Sequence, residues 1–237
     1  MTVYGAIFAR GGSKGVPGKN LRLVGGRSLL AHAVIAGQEA ELVDSIHIST
    51  DADDISAEAA ALGVQVPFRR PVELSRDDSP EWDAWEHLAR HLINQGAAES
   101  DLLVSIPPTS PLRIPGDIDQ AISAFRDGTF DVILAVTEST RSPWFNMVTR
   151  GAQGRVELAA AGDNSSIVRR QDAPPVFSIT TVVYVTTLGF VCRASRMFDG
   201  TVGSITVPPE RAIDIDTELD LEIADCLARK RLGLQGE

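Results

Sequence analysis

The chain has 237 residues, 43% of them hydrophobic, and a formal net charge of −10 from 22 basic and 32 acidic side chains. That length supports one sizeable core, and the acidic balance disfavours a nucleic-acid polymer as partner, because phosphate backbones are held by basic faces. No apolar run approaches the roughly 20 residues that span a bilayer, so no membrane segment is expected.

Val3 to Ala9 is predicted as a strand and Leu29 to Ala40 as a helix. Ser45 to Thr50 reads as a strand, Ala52 to Leu62 as a helix and Val64 to Phe68 as a short strand. From about Ser79 to Asn94, Trp82, Trp85, Leu88, Leu92 and Ile93 recur at helical spacing and bury one face. Leu102 to Ile106 then reads as a strand, Asp117 to Phe125 as a helix and Asp131 to Thr137 as a strand. This alternation predicts an α/β fold, a mostly parallel sheet with helices on both faces. The rhythm changes after Glu138, where Trp144 to Thr149, Arg155 to Ala159 and Phe177 to Val185 read as shorter β segments of an inserted arm. Ser204 to Val207 and a closing helix, Thr217 to Leu232, return to the main sheet. With no internal repeat or low-complexity linker, residues 1–237 read as a single domain with an arm.

The opening MTVYGAIFARGG lacks a basic n-region and a small-residue cleavage site, so it reads as a strand entering a loop, and cytoplasmic residence is the default expectation. Cys192 and Cys226 make no disulfide framework and read as buried or inert thiols. His87 and His91 have i, i+4 spacing, but the glutamate of a zincin motif is absent from its place. Trp82 and Trp85 read as packing.

Charge is unevenly spread. The first 38 residues contain Arg10, Lys14, Lys19, Arg22 and Arg27 and no acidic residue, and two of the chain's three lysines lie in one glycine-rich stretch, ARGGSKGVPGKN, from Ala9 to Asn20. Glycines let backbone N–H groups turn toward an anion, and the cations neutralise its charge, so the stretch suits a polyphosphate. It is neither a Walker A loop, since Ser13 and Asn20 occupy required Gly and Ser/Thr positions, nor a G-x-G-x-x-G fingerprint. Asp214 and Asp216 lie two apart, so on an extended segment both point to one face as hard oxygen ligands of the kind Mg²⁺ takes. On the residues alone, a helix N-terminus capped by Asp216 or Thr217 fits equally well.

The stretch ARGGSKGVPGKN resembles the nucleotide-binding loop of the CMP-sialic acid synthetases, the acylneuraminate cytidylyltransferases, whose usual form is close to ARGGSKGIPGKN. Further blocks follow in the family's order: Ser49-Thr50-Asp51, Val66 to Leu74, Pro108 to Arg113, Arg170 to Pro175, and Asp214 to Thr217. Together they extend from residue 3 to about 225.

The resemblance implies a Rossmann-like sheet of the nucleotide-diphospho-sugar transferase type with a β dimerisation arm at about 139–180, and hence a homodimer. It implies a cytidylyltransferase in which a sugar hydroxyl attacks the α-phosphate of CTP, releasing pyrophosphate and giving a CMP-sugar. The implied nucleotide-binding residues are Ala9, Arg10, Gly11, Gly12, Ser13, Lys14, Lys19, Asn20 and Arg70. Arg10, Lys14, Lys19 and Asp216 are the implied catalytic residues, and Asp214 and Asp216 the ligands of a Mg²⁺ cofactor. The implied sugar-acid contacts fall at Pro107, Thr109, Ser110, Arg113, Arg170, Gln171 and Phe177. Asp51 reads equally as an orienting group for the loop and as a structural residue.

Two departures fall on the sugar side. Pro107 stands where the family commonly has glutamine, and Phe177, Ser178 and Thr180 replace a tyrosine, an arginine and an asparagine. A site built to hydrogen-bond one substrate rejects its analogues, so these changes bear on specificity. The sequence therefore points to a nonulosonic, sialic-acid-like or related 2-keto-3-deoxy sugar acid without naming which. It leaves open a nucleotidyltransferase of the same fold with another nucleotide or a sugar-phosphate acceptor, and a catalytically silent nucleotide-sugar-binding protein.

Overall fold

Strands β1 (Val3–Phe8), β4 (Ser45–Ser49), β5 (Leu102–Ser105) and β6 (Val132–Glu138) carry the apolar runs of the sequence, with β5 buried at every position. Continuous burial is what a strand between two helix layers requires. The computed structural model describes residues 1–12, 15–160, 167 and 169–233, with Arg170 described by its backbone alone.

The other elements are the short strands β2 (Leu23–Val24) and β3 (Arg27–Ser28), helices α1 (Leu29–Glu39), α2 (Asp53–Ala61), α3 (Glu81–Asn94) and α4 (Pro115–Asp127), and strands β7 (Val148–Arg150) and β8 (Val156–Leu158). They continue with β9 (Phe177–Thr187), α5 (Leu188–Arg193), β10 (Val202–Thr206) and α6 (Glu218–Arg231). The six-stranded sheet has the order β10-β6-β9-β5-β1-β4, parallel except for β9, which runs antiparallel to both neighbours. On one face Leu30 and Val34 of α1, Ile55 of α2 and Ile118 and Ile122 of α4 pack against Ile7, Val104 and Ile133. On the other, Trp85 and Leu88 of α3 and Phe190 of α5 pack on Ala6, Leu103 and Tyr184. A third cluster ties Leu221 and Ala224 of α6 to Val16, Leu112 and Ile215, so the closing helix clamps the glycine-rich stretch to the body.

Three expectations are corrected. Val64 to Phe68 forms no strand: the single bridge, Thr50 to Arg69, comes just after it, and Pro67 has no N–H to offer the edge strand β4. Trp144 to Asn146 lies in a turn, and the expected strand there shrinks to β7. Phe177 to Val185 belongs to the main sheet rather than to the arm. The chain leaves β6 at its carboxyl end, forms the antiparallel β7–β8 hairpin, and re-enters from that same end, so β9 must run antiparallel.

Between Leu134 and Ala135 the pairing of β6 jumps from Tyr184 to Thr180, so Thr181 to Val183 bulge out of the ladder. Among the described residues, no helix is long and apolar enough to cross a membrane.

Candidate active site

Parallel strands β1, β4 and β5 end at one edge of the sheet, where open α/β folds bind ligands. Their following loops, with the incoming end of β9, enclose a cleft of ≈270 Å³ lined among others by Arg10, Asn20, Arg70, Glu81, Pro107 and Thr181.

The glycine-rich stretch leaves β1 through Ala9, whose N–H donates to Ser49 O at 3.1 Å. Gly11 N–H donates to Asp51 Oδ1 at 3.0 Å, so Asp51 orients the loop. Asn20, buried, returns its side-chain amide to Arg10 O at 2.9 Å and closes the turn. Gly18 has φ +62°, a conformation open to glycine, and a Cβ on Gly15 would overlap the carbonyl oxygen of Asp216. Gly12 is exposed. Arg10 reaches across the cleft mouth, donating to Arg76 O at 2.7 Å and pairing with Asp77 at 3.2 Å. Ser13 and Lys14, both expected in nucleotide binding, lie outside the described residues.

Lys19 Nζ donates to Ile215 O at 2.6 Å and to Asp216 Oδ1 at 3.2 Å. Ile215 is fully buried and its N–H donates to Thr109 O at 2.9 Å, so the segment 214–216 is held between the glycine-rich stretch and the 107–110 loop. Thr217, not Asp216, caps α6: its hydroxyl accepts from Asp220 N, and Asp220 Oδ2 accepts from Thr217 N at 2.7 Å. Asp216 is thereby left exposed. Asp214 is half-buried, and its Oδ1 is enclosed without a hydrogen-bond partner among the described residues.

Arg70 enters from the segment after β4. It is buried, with Nε donating to Ser49 Oγ at 3.0 Å and Nη2 to Ser49 O, and it still lines the cleft. Burial pulls its pKa below the usual arginine value, against the favourable charges of Asp51 and Glu81.

On the opposite wall, Pro107 and Thr109 line the cleft, and Thr181 joins them from the bulge of β9. Thr109 Oγ1 donates to Thr181 Oγ1 at 3.1 Å, and Ser110 Oγ lies 2.7 Å from the same oxygen. Ser110 itself is fully buried beneath Thr181, so the surface hydroxyls are those of Thr109 and Thr181.

Arg113 departs from expectation. Instead of facing a ligand it is 4% exposed, with Nε donating to Val182 O at 2.8 Å and Nη2 to Pro107 O and Thr181 O. Carbonyls released by the β9 bulge need donors, and Arg113 supplies them, fixing both Pro107 and Thr181 in the wall.

A family model described as cytidylyltransferase matches residues 5–178. The chain belongs to the cytidylyltransferase family. It is 27% identical over 225 residues to post-translational flagellin modification protein B of Campylobacter coli, covering 95% of this chain and 94% of that protein. It is 27% identical over 221 residues to the CMP-N,N'-diacetyllegionaminic acid synthase of Campylobacter jejuni, covering 93% and 92%. A solved structure of a CMP:2-keto-3-deoxy-manno-octonic acid synthetase complexed with CTP superposes with a TM-score of 0.72 at 14% identity, covering 98% of this chain and 100% of that one, a likeness of fold.

In this cytidylyltransferase Gln171 and Phe177 do not line the cleft of their own chain. Gln171 lines a separate hollow of ≈460 Å³ with Glu138, Ser142 and Pro174, and Arg170 begins a short 3-10 turn. Phe177 is half exposed at the outer end of β9, opposite Glu138, because β9 reaches the cleft only further along, at Thr181. His87 and His91 pack edge-on to Phe68, and Trp82 and Trp85 stack with each other beside Phe8 and Phe190. Cys226 is exposed rather than buried. Sequence reading passed over Thr181, Arg76, Asp77 and Glu81. Thr181 required the bulge, and the other three lie between two recognisable blocks.

Proposed function

We propose that this cytidylyltransferase activates a nonulosonic, sialic-acid-like or related 2-keto-3-deoxy sugar acid with CTP, giving a CMP-sugar and pyrophosphate. The observation that carries the reading is the contact of Lys19 with Asp216, which sets the cation of a glycine-rich loop beside a carboxylate pair at the carboxyl ends of parallel strands. Similarity to the legionaminic acid synthase and to flagellin modification protein B supports the substrate class.

In this reading the Arg10 and Gly12 amides of the loop, with the Arg10 side chain, Ser13, Lys14, Lys19 and Asn20, hold the triphosphate, Ala9 and Gly11 keep the loop in place through Ser49 and Asp51, and Arg70 lies at the nucleoside end. The sugar hydroxyl oxygen bonds to the α-phosphorus as the bond to the β-phosphate oxygen breaks, and pyrophosphate leaves. Lys19 neutralises charge at the α-phosphate as the new bond forms. Asp214 and Asp216 fit Mg²⁺: Asp214 Oδ1 is a buried acceptor without a partner among the described residues, and two carboxylates plus substrate oxygens are a usual Mg²⁺ donor set. The ion, when bound, supplies positive charge to the phosphates. Pro107, Thr109 and Thr181 face the sugar acid, with Ser110 and Arg113 acting through them.

The β7–β8 hairpin exposes Met147, Val148, Val156 and Leu158, an apolar surface that suits a homodimer in which Arg170, Gln171 and Phe177 of each arm approach the neighbouring cleft. Sedimentation of a strictly monomeric species at micromolar concentration would remove this part. Cytoplasmic residence fits the use of CTP.

A panel of 2-keto-3-deoxy sugar acids, assayed for CTP-dependent pyrophosphate release, tests the activity. Turnover of at least one nine-carbon member is expected, and no turnover of any member overturns the reading.

A further inference from the structure

The cleft contains an ionisable group that the chemistry above leaves unused. Glu81 is the first residue of α3, whose Trp82, Trp85 and Leu88 are locked in the core, so the carboxylate is presented from a rigid element. Trp85 Nε1 donates to Glu81 Oε1 at 3.1 Å, which fixes the carboxylate plane. Oε2 accepts no hydrogen bond among the described residues. Arg70, of opposite charge, makes no hydrogen bond to it among the described residues, its Nε and Nη2 donating to Ser49. Ala84, one turn along the helix, and Phe8, stacked on Trp85 with ring centroids 5.9 Å apart, line the same cleft and give it apolar walls suited to a flat ring.

An ionised carboxylate only accepts hydrogen bonds. It repels the triphosphate and a sugar acid's carboxylate alike, so whatever substrate part rests against it must present N–H or O–H groups. Neighbouring groups crowd the Glu81 carboxyl and raise its pKa although the residue as a whole is exposed, and against a partly desolvated carboxylate a mismatched acceptor is penalised more strongly than in bulk water.

We propose that Glu81 selects the nucleobase, its second carboxylate oxygen accepting a hydrogen bond from the exocyclic amine of cytosine and repelling the carbonyl that uracil carries at that position. The inference rests on the proposed use of CTP.

Glu81→Gln tests it, because the amide keeps an acceptor for Trp85 and places N–H groups where Oε2 stood. The kcat/KM for CTP and for UTP is measured with one sugar acid, and dissociation constants for both nucleotides are measured without it. Thermal melts establish that the variant is folded. The wild type is expected to favour CTP, and Glu81→Gln to lower the CTP/UTP ratio about tenfold or more, chiefly through nucleotide binding. Glu81→Asp, which keeps the charge and draws it back, is expected to weaken CTP while preserving the preference. A Glu81→Gln ratio equal to that of the wild type, with both nucleotides losing alike, overturns the role of Glu81 and leaves the use of CTP standing. A wild type without preference for CTP overturns both.

Discussion

Lys19 and Asp216 are 197 positions apart in the chain, yet Lys19 Nζ stands 3.2 Å from Asp216 Oδ1 and donates to the neighbouring Ile215 O. The Asp216 side chain is 73% exposed and the Lys19 side chain 15%, so the pair contributes at most about 1 kcal/mol to stability. Its consequence is positional: one contact joins the loop after the first strand to the segment before the last helix.

Asp216→Asn and Lys19→Ala are therefore expected to fold normally and to lose turnover about 100-fold or more, with a much smaller change in CTP affinity, as groups that act mainly on transition-state charge do. Steady-state kinetics with separate nucleotide titrations check this, and near-wild-type turnover in both variants would remove the assigned roles.

Gly15→Ala puts a methyl group into the Asp216 carbonyl, a backbone atom that cannot swing aside. The glycine-rich stretch is then displaced from the 214–216 segment. The expected outcome is a loss of turnover comparable to that of Lys19→Ala, with the melting temperature lowered by only a few degrees. Wild-type turnover in this variant would show that the close approach is dispensable.

Arg113→Met removes the donors of three carbonyls in a buried site, and a stability loss of about 3 kcal/mol is expected in denaturant titration. The milder Arg113→Lys keeps the charge but not the fork. It is expected to raise the KM of the sugar acid more than that of CTP, because the residues it releases, Pro107 and Thr181, line the wall proposed for the sugar acid. An equal rise in both constants would contradict that division.

Glu81 gives a pH dependence with a definite sign. Desolvation raises its pKa above the usual carboxylate value, opposed by the Trp85 hydrogen bond and by Arg70 and reinforced by Asp214. The folded state therefore binds the proton more tightly than the unfolded chain, and stability falls as pH rises from the ordinary glutamate range through the raised value, by a small amount because Glu81 keeps contact with solvent. Glu81→Gln removes this penalty. It should melt at or above the wild-type temperature at neutral pH, with the difference closing below about pH 4. A variant less stable than the wild type at neutral pH would indicate that the carboxylate contributes more through Trp85 than desolvation costs.

The sequence determined the parts whose signal is local. Glycines, lysines and arginine in ARGGSKGVPGKN pointed to the polyphosphate role proposed for that loop from side-chain chemistry alone. The i, i+3, i+4 spacing of Trp82, Trp85 and Leu88 placed α3 on the sheet, because periodicity is carried by near neighbours, whereas the Asp214, Asp216 spacing did not reveal that Asp216 is exposed while Asp214 Oδ1 is enclosed. Tertiary structure decided what depended on distant pairings. Phe177 to Val185 is equally β-forming in an arm or in a sheet, and only the return path of the chain placed it between β5 and β6. Thr181 entered the cleft through a bulge that no residue pattern announces. Arg113 closed a block that reads as binding machinery, and it turned inward because that bulge left carbonyls to satisfy. The burial of a charged group is set by what packs around it, which a linear pattern does not contain.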